Sequence, residues 1–407
     1  MKRLFVIAAL VCAGPLSAEV RVSTDFEGGS AKVESVDAGA KVVRFIPGGD
    51  PQRGWVCWWH LRLDGVPAGE HWTLDLGGSD RPTRNNGVDT DAPLAATWAQ
   101  PDSATFSSDG QTWKLTEPGV REGKRIRYEV VGDGGPIRIA WGPPFGSREV
   151  ESLCSATKQK LPSVEVIELA QSREGRPVRG LHVHESKAEK PLGLWVQARQ
   201  HAWESGSSWV AHGFTEWVVS DAPEARRLRE TTEIFIVPIM DVDRVATGDG
   251  GKEANPRDHN RDWTAEPVYP EVAAAQARLL ALVKDGRLKL FLDLHNPAPG
   301  DKHPFFFVGP EELLSPEGKV KRAQFMEQAF AHLTGPLAAE KRLRTTGASY
   351  HPLFRQISGM WVDANGNPDT VAACLETSWN TPHSTTAGYR DVGQKLAQAA
   401  AAYLKHR

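Results

Sequence analysis

Four short segments in the later half of the chain concentrate the residue types that bind metals and move protons. They are Arg199-Gln200-His201-Ala202-Trp203-Glu204, Asp258-His259-Asn260-Arg261-Asp262-Trp263, Leu292-Asp293-Leu294-His295-Asn296 and Leu375-Glu376-Thr377-Ser378. His201 and Glu204 are three apart, so one helical turn or a tight loop brings both side chains to one side. Zinc accepts imidazole nitrogen and carboxylate oxygen, and a catalytic zinc takes three protein ligands and leaves one position open. His295 is the best placed of the 13 histidines to be the third ligand, which predicts one Zn2+ per chain on His201, Glu204 and His295. Each residue also has an ordinary reading. H-x-x-E arises often by chance, and a histidine after an apolar strand can be a satisfied core residue.

The other two segments narrow the chemistry. Arg261 offers a planar fork for two charge-assisted hydrogen bonds, and Asn260 adds an amide donor, a pair suited to a free carboxylate. Asp258 is a candidate to receive the second N–H of a metal-bound histidine. Glu376 ends an apolar strand, where an unpartnered carboxylate is costly, and is the candidate general base that takes a proton from the attacking water. The ordinary alternatives are a loop cap for Asp258, a surface ion pair for Arg261 and a structural ion pair for Glu376.

These groups need elements to bring them together. Residues 149–407 alternate compact apolar strands (192–198, 233–239, 288–294, 371–375) with helical stretches (207–219, 271–284, 319–332, 388–405). That alternation predicts an α/β catalytic domain with a mixed, largely parallel central sheet and flanking helices. His201, His295 and Glu376 then all fall just past strand ends, where ligands gather in such sheets. Residues 19–148 carry short strands punctuated by Gly, Asp, Asn and Pro, which predicts an all-β sandwich, with a hairpin turn at 107–113 and a linker at 142–146.

On these motifs the chain resembles the zinc metallocarboxypeptidases, within them the cytosolic-carboxypeptidase-like branch with bacterial members. The resemblance covers roughly residues 150–405 and rests on Arg-Gln-His-x-x-Glu followed by Ser-Ser-Trp, on Asp-His-Asn-Arg-Asp-Trp, on Asp-Leu-His and on Leu-Glu-Thr-Ser. It implies zinc on His201, Glu204 and His295, carboxylate binding by Asn260 and Arg261, and Glu376 as general base. It also implies an all-β domain ahead of the catalytic one. Two of the family's parts do not fall in their usual places. The carbonyl-polarising Arg is missing upstream of Asn260-Arg261, where Lys252 is the nearest cation and Arg257 and Arg244 are further candidates. Tyr350 is the candidate substrate-capping Tyr, at a longer spacing from Glu376. Trp361 and Asp363 are the candidates for the side-chain pocket.

The expected activity is zinc-dependent removal of C-terminal residues from a peptide or protein with a free C-terminus. Two alternatives stand beside it: an amidase or carboxypeptidase acting on cell-wall peptides, and a non-catalytic binding protein with an inert zinc domain. A formal net charge of -3 over 407 residues gives no reason to expect nucleic acid or a membrane surface as partner. Lys2-Arg3, an apolar run from Leu4 to Ala13 and Pro15-Leu16-Ser17-Ala18 read as a signal peptide over 1–18, with cleavage after Ala18. That predicts an exported protein, periplasmic or secreted, without membrane insertion after cleavage. Val11 before Cys12 argues against a lipoprotein site. Cys57, Cys154 and Cys374 would remain, an odd number that excludes a disulfide scaffold but leaves room for one bridge. The 14 tryptophans are expected to serve mostly as core.

Overall fold

The computed structural model describes residues 19–49, 52 and 54–405. The signal-peptide reading over 1–18 lies outside the described residues.

Residues 21–140 form two five-stranded sheets. Strands Val42–Ile46, His71–Gly77 and Arg125–Val131 belong to one, and His60–Asp64 and Ile137–Ala140 to the other. Arg125–Val131 alternates inward Ile126, Tyr128 and Val130 with outward charges, the period-2 pattern of a half-buried strand. The inward residues of both sheets share one core, with Phe45, Trp59, Leu61, Leu74, Tyr128 and Ile139 fully buried, so the sheets face each other as a sandwich. The predicted hairpin is present: Thr105–Ser107 pairs with Lys114–Leu115, and Asp109 accepts from the amides of Gln111 and Thr112 in the turn.

The α/β region is built on an eight-stranded mixed sheet. Its centre is parallel: Thr232–Val237, Leu192–Ala198, Leu288–His295 and Val371–Glu376, in that order. These strands are continuous apolar runs because helices cover both faces. Antiparallel strands flank the parallel core, Pro177–Val183 beside Thr232–Val237 and Phe305–Val308 beside Val371–Glu376. Helices Ser147–Lys160 and Pro223–Thr231 and the edge strand Glu165–Gln171 complete the layer structure.

Helix Ser205–Val218 has the most direct hold on the metal-binding residues, because Glu204 is its N-cap residue. It lies close against helix Thr386–Leu404. A Cβ at Gly213 would meet the carbonyl of Arg390 at 2.0 Å, and one at Gly393 would meet that of Val210 at 2.0 Å. Backbone contact at both glycines fixes the close spacing of the two helices, and helps to set the position of the helix that Glu204 begins.

The stretch 142–146 is not a free linker. Phe145 is buried, Trp209 donates its indole N–H to the Pro143 carbonyl, and the Arg199 guanidinium donates to that of Phe145. The tryptophans also do more than fill one core. Trp98 and Trp141 of the sandwich region meet Trp203 and Trp379 of the α/β region edge-on or tilted, with Trp55 edge-on against Trp98, joining the two regions in one aromatic cluster. Cys57, Cys154 and Cys374 are all free thiols, so no bridge joins any two of them. Among the described residues, no helix is long and apolar enough to cross a membrane.

Candidate active site

Strand Leu192–Ala198 ends one residue before Arg199, which adopts a left-handed φ of 63° and turns the chain sharply. The Arg199 Nε donates to the Ala202 carbonyl at 2.6 Å and pins the turn from inside. His201 and Glu204 therefore reach one point from a tight loop, with the Glu204 amide donating to the His201 carbonyl at 3.1 Å. His295 arrives as the last residue of strand Leu288–His295, and Glu376, its register partner, as the last of Val371–Glu376.

The two carboxylate oxygens of Glu204 lie between two imidazoles: Oε1 is 2.8 Å from His201 Nδ1 and Oε2 is 2.7 Å from His295 Nδ1. All three residues are buried, and their ligand atoms lie within 4.8 Å of one another. Burial alone would raise the Glu204 carboxyl, but His201 and His295 overcome it and hold it at about 2. A buried carboxylate and two imidazoles facing one point are the donor set of a catalytic zinc, so the residues present fit that ion.

The far ring nitrogens are held as a metal site requires. His201 Nε2 lies 3.2 Å from Asp258 Oδ1, and His295 Nε2 lies 3.1 Å from Asp293 Oδ2. Asp258 caps the short turn His259–Arg261 and also accepts from the amides of Asn260 and Glu253, each at 2.9 Å. Sequence reasoning missed Asp293, although its place two residues before His295 puts both side chains on one strand face. It is fully buried and accepts from Gln200 at 2.6 Å and Ser358 at 2.5 Å. Asp293→Asn is expected to weaken zinc retention by about 10- to 100-fold, with activity restored by excess zinc. Zinc release to a competing chelator measures this, and unchanged release would remove Asp293 from the orienting role.

A cleft of about 300 Å³ opens onto these groups. Larger concavities of about 790 and 430 Å³ lie elsewhere on the molecule, but neither is lined by the metal-binding cluster. Asn260 and Arg261 line the cleft wall, and the Arg261 Nε is buried without a protein partner. Asn260 is held by the Ser358 amide, which donates to its Oδ1 at 3.0 Å. Glu376 Oε2 is likewise buried and unpartnered. Burial pushes the Glu376 carboxyl up to about 7, with Glu204 adding to that effect and His295, Lys252 and His201 opposing it.

The cations sort by geometry. Lys252 lines the cleft, its Nζ 5.3 Å from the centre of the Trp55 ring. Burial would discharge its ammonium, but Tyr350 and Asp258 more than offset that. Arg244 is committed to Asp241 and the Asn255 carbonyl, and Arg257 to Asp262, so neither faces the cleft. Tyr350 stands at the cleft rim, 39% exposed, with its ring 4.9 Å from that of Phe307. Trp361 and Asp363 do not line the cleft. Helix Ser358–Asn365 turns Trp361 onto Trp263 and Asp363 onto Arg322. Arg344 and Asp301, paired at 2.8 Å, are among the charged groups that do line the cleft.

The sandwich region completes the wall with Trp55, Asn85, Asn86 and Trp98. Asn85 and Asn86 sit on the hairpin of strands Pro82–Asn85 and Val88–Pro93. Its tip is tied down by the Gly87 amide, which donates to Glu253 at 2.9 Å, and by Arg84, which donates to Asn255 at 3.0 Å.

Comparison with known proteins bears on the whole arrangement. Residues 150–266 match the family described as zinc carboxypeptidase. Cytosolic carboxypeptidase 2 of Danio rerio is 27% identical over 233 residues, 56% of this chain and 29% of that protein. Cytosolic carboxypeptidase 3 of Mus musculus is 32% identical over 108 residues, 26% of this chain and 11% of that protein. The chain thus spans less than a third of the length of these curated relatives. Among solved structures, a metallo-carboxypeptidase from Burkholderia cenocepacia superposes with a TM-score of 0.78 at 20% identity, covering 95% of this chain and all of that one. A metallo-carboxypeptidase from Pseudomonas aeruginosa, in complex with (2-guanidinoethylmercapto)succinic acid, gives 0.76 at 21% identity over 95% of this chain and 99% of that one. At these identities the likeness is one of fold, and it extends over sandwich and α/β regions together.

Proposed function

We propose, from the premise that residues 150–266 match the zinc carboxypeptidase family, that this chain hydrolyses the C-terminal peptide bond of peptides or proteins. The observation that carries the reading is the meeting, in one cleft, of the unpartnered Oε2 of Glu376, the unused Nε donor of Arg261 and the His201–Glu204–His295 cluster. His201, Glu204 and His295 would hold the zinc ion, which when bound would supply Lewis acidity to the attacking water and the scissile carbonyl. The chain's own residues do the rest. Arg261 and Asn260 grip the terminal carboxylate and set the register of the substrate. Lys252, the cleft cation left over once Arg261 is given to the carboxylate and Arg344 is paired with Asp301, offers a positive charge to the carbonyl oxygen as it gains negative charge. Glu376 takes the proton from the attacking water at Oε2 and returns it to the leaving amine. Tyr350 closes over the substrate from the rim.

In this reading residues 19–148 are a separate β module that narrows the approach to the cleft, and residues 149–407 are the catalytic domain. Residues 1–18 direct export to the periplasm or beyond. N-terminal sequencing of the mature protein checks export, and a chain beginning at Met1 removes it.

The test is digestion of a peptide library read by mass spectrometry, with cell-wall peptides as a parallel arm. Stepwise loss of single C-terminal residues supports the reading, and cleavage confined to wall peptides supports the amidase alternative. Arg261→Lys is expected to raise KM by about 10- to 100-fold, the loss of a charge-assisted fork worth ~1.5–3 kcal/mol. Peptides with an amidated C-terminus should be poor substrates for wild type and indifferent to the substitution. Equal sensitivity of acid and amide would refute the clamp.

A further inference from the structure

A second cluster of metal-binding side chains lies at the amino ends of the parallel strands, the edge opposite His201 and His295. Glu165 and His182 are register partners on strands Glu165–Gln171 and Pro177–Val183, and His184 follows two residues later on the same face. A parallel strand such as Leu192–Ala198 puts about 20 Å between the two edges.

The geometry points to a site for a second divalent transition-metal ion, zinc by donor type, on Glu165, His182 and His184. One ligand atom from each lies within 4.8 Å of the others. Glu165 Oε2 is 3.3 Å from His182 Nδ1 and 3.9 Å from His184 Nε2. Two ligands of one tetrahedral zinc, each at ~2.0–2.1 Å, stand roughly 3.3 Å apart. Glu165 and His182 already have that separation. His184, with 48% of its side chain exposed, needs a shift of well under its own rotamer range to join them.

His182 is prepared for the role in a way a surface histidine is not. Its ring stacks on Phe235 at 4.3 Å with an interplanar angle of 6°. Its Nε2 lies 2.8 Å from Glu233 Oε1, and Glu233 is itself anchored by Arg287. A carboxylate on Nε2 fixes the proton there and leaves the Nδ1 lone pair facing Glu165, the same outer support that the catalytic histidines receive. Two imidazoles and one carboxylate suit zinc, with water completing the shell, whereas magnesium and calcium prefer oxygen alone. An ion here ties the edge strand Glu165–Gln171 to its neighbour, so its effect is on stability and not on the reaction.

The test uses the protein loaded with one zinc and adds zinc alone. Equilibrium dialysis at micromolar free zinc is expected to find a second equivalent in wild type, with a rise in the thermal midpoint. His184→Ala should lose that equivalent and the rise while hydrolysing peptide at the wild-type rate. Glu165→Gln should weaken it by about 10-fold or more. Cobalt substitution adds a spectroscopic readout, since a second set of visible absorption bands should appear in wild type and not in His184→Ala. A wild-type protein that stops at one equivalent, or a His184→Ala protein that retains two, overturns the assignment.

Discussion

Glu376→Gln is expected to lower kcat by about 10²- to 10⁴-fold, the usual weight of a general acid–base group. Zinc content should stay at one per chain, and KM should change little, because Asn260 and Arg261 still hold the substrate. Gln keeps the shape of the side chain and removes only the ability to take and return a proton. The rate should also depend on pH through the same group. A base must be ionised, so kcat/KM falls as pH drops through the Glu376 pKa. That value is about 7 when only protein groups are counted, and the charge of bound zinc moves it lower. Stability gives an independent reading in the metal-free protein. The folded state raises this carboxyl from 4.5 to about 7 and so binds more protons there than the unfolded chain. Stability is therefore lost as pH rises from about 4.5 to 7, and the Gln variant escapes that loss. A variant with both wild-type kcat and wild-type pH-dependence of unfolding would sink the assignment of Glu376 as base.

His295→Ala should act through the metal. It leaves two protein ligands where a catalytic zinc needs three. Zinc should be released to a chelator that wild type resists, and kcat/KM should fall by at least about 10³-fold, as several kcal/mol of charge stabilisation disappear. Excess zinc should not rescue it, in contrast to Asp293→Asn, where the three ligands survive and only their orientation suffers. Retention of zinc by His295→Ala would show that the cluster holds its ion by other groups.

The strand ends were legible in the sequence because each apolar run stops at a polar residue, so His201, His295 and Glu376 announce one edge of one sheet. Glu204 was legible from its spacing to His201, although the turn that presents it depends on a left-handed Arg199 that no spacing reveals. Asp258 fell where a histidine could use it, and the structure puts it there. Asp293 escaped because it reads as one polar interruption of a buried strand. Trp361 and Asp363 misled because position along the chain does not say which way a helix faces, and each residue rotates the direction by 100°. The flanking strands of the sheet and the Asn85–Asn86 hairpin tip were beyond reach for a different reason. Their placement is decided by contacts with residues more than fifty positions away, which leave no local pattern.

The wall of the cleft has a kinetic consequence. It joins Asn85, Asn86 and Trp98 to residues as distant as Glu376, and the Asp102 amide donates to Asn380 across 278 positions at 2.7 Å. Contacts of such sequence separation form late, because the entropy of closing a long loop must be met before they contribute. The sandwich is made before the α/β region during synthesis, yet it cannot shape the cleft until strand Val371–Glu376 and helix Thr386–Leu404 have joined the sheet. Hydrolytic competence should therefore appear as the final event of refolding, lagging behind the recovery of secondary structure.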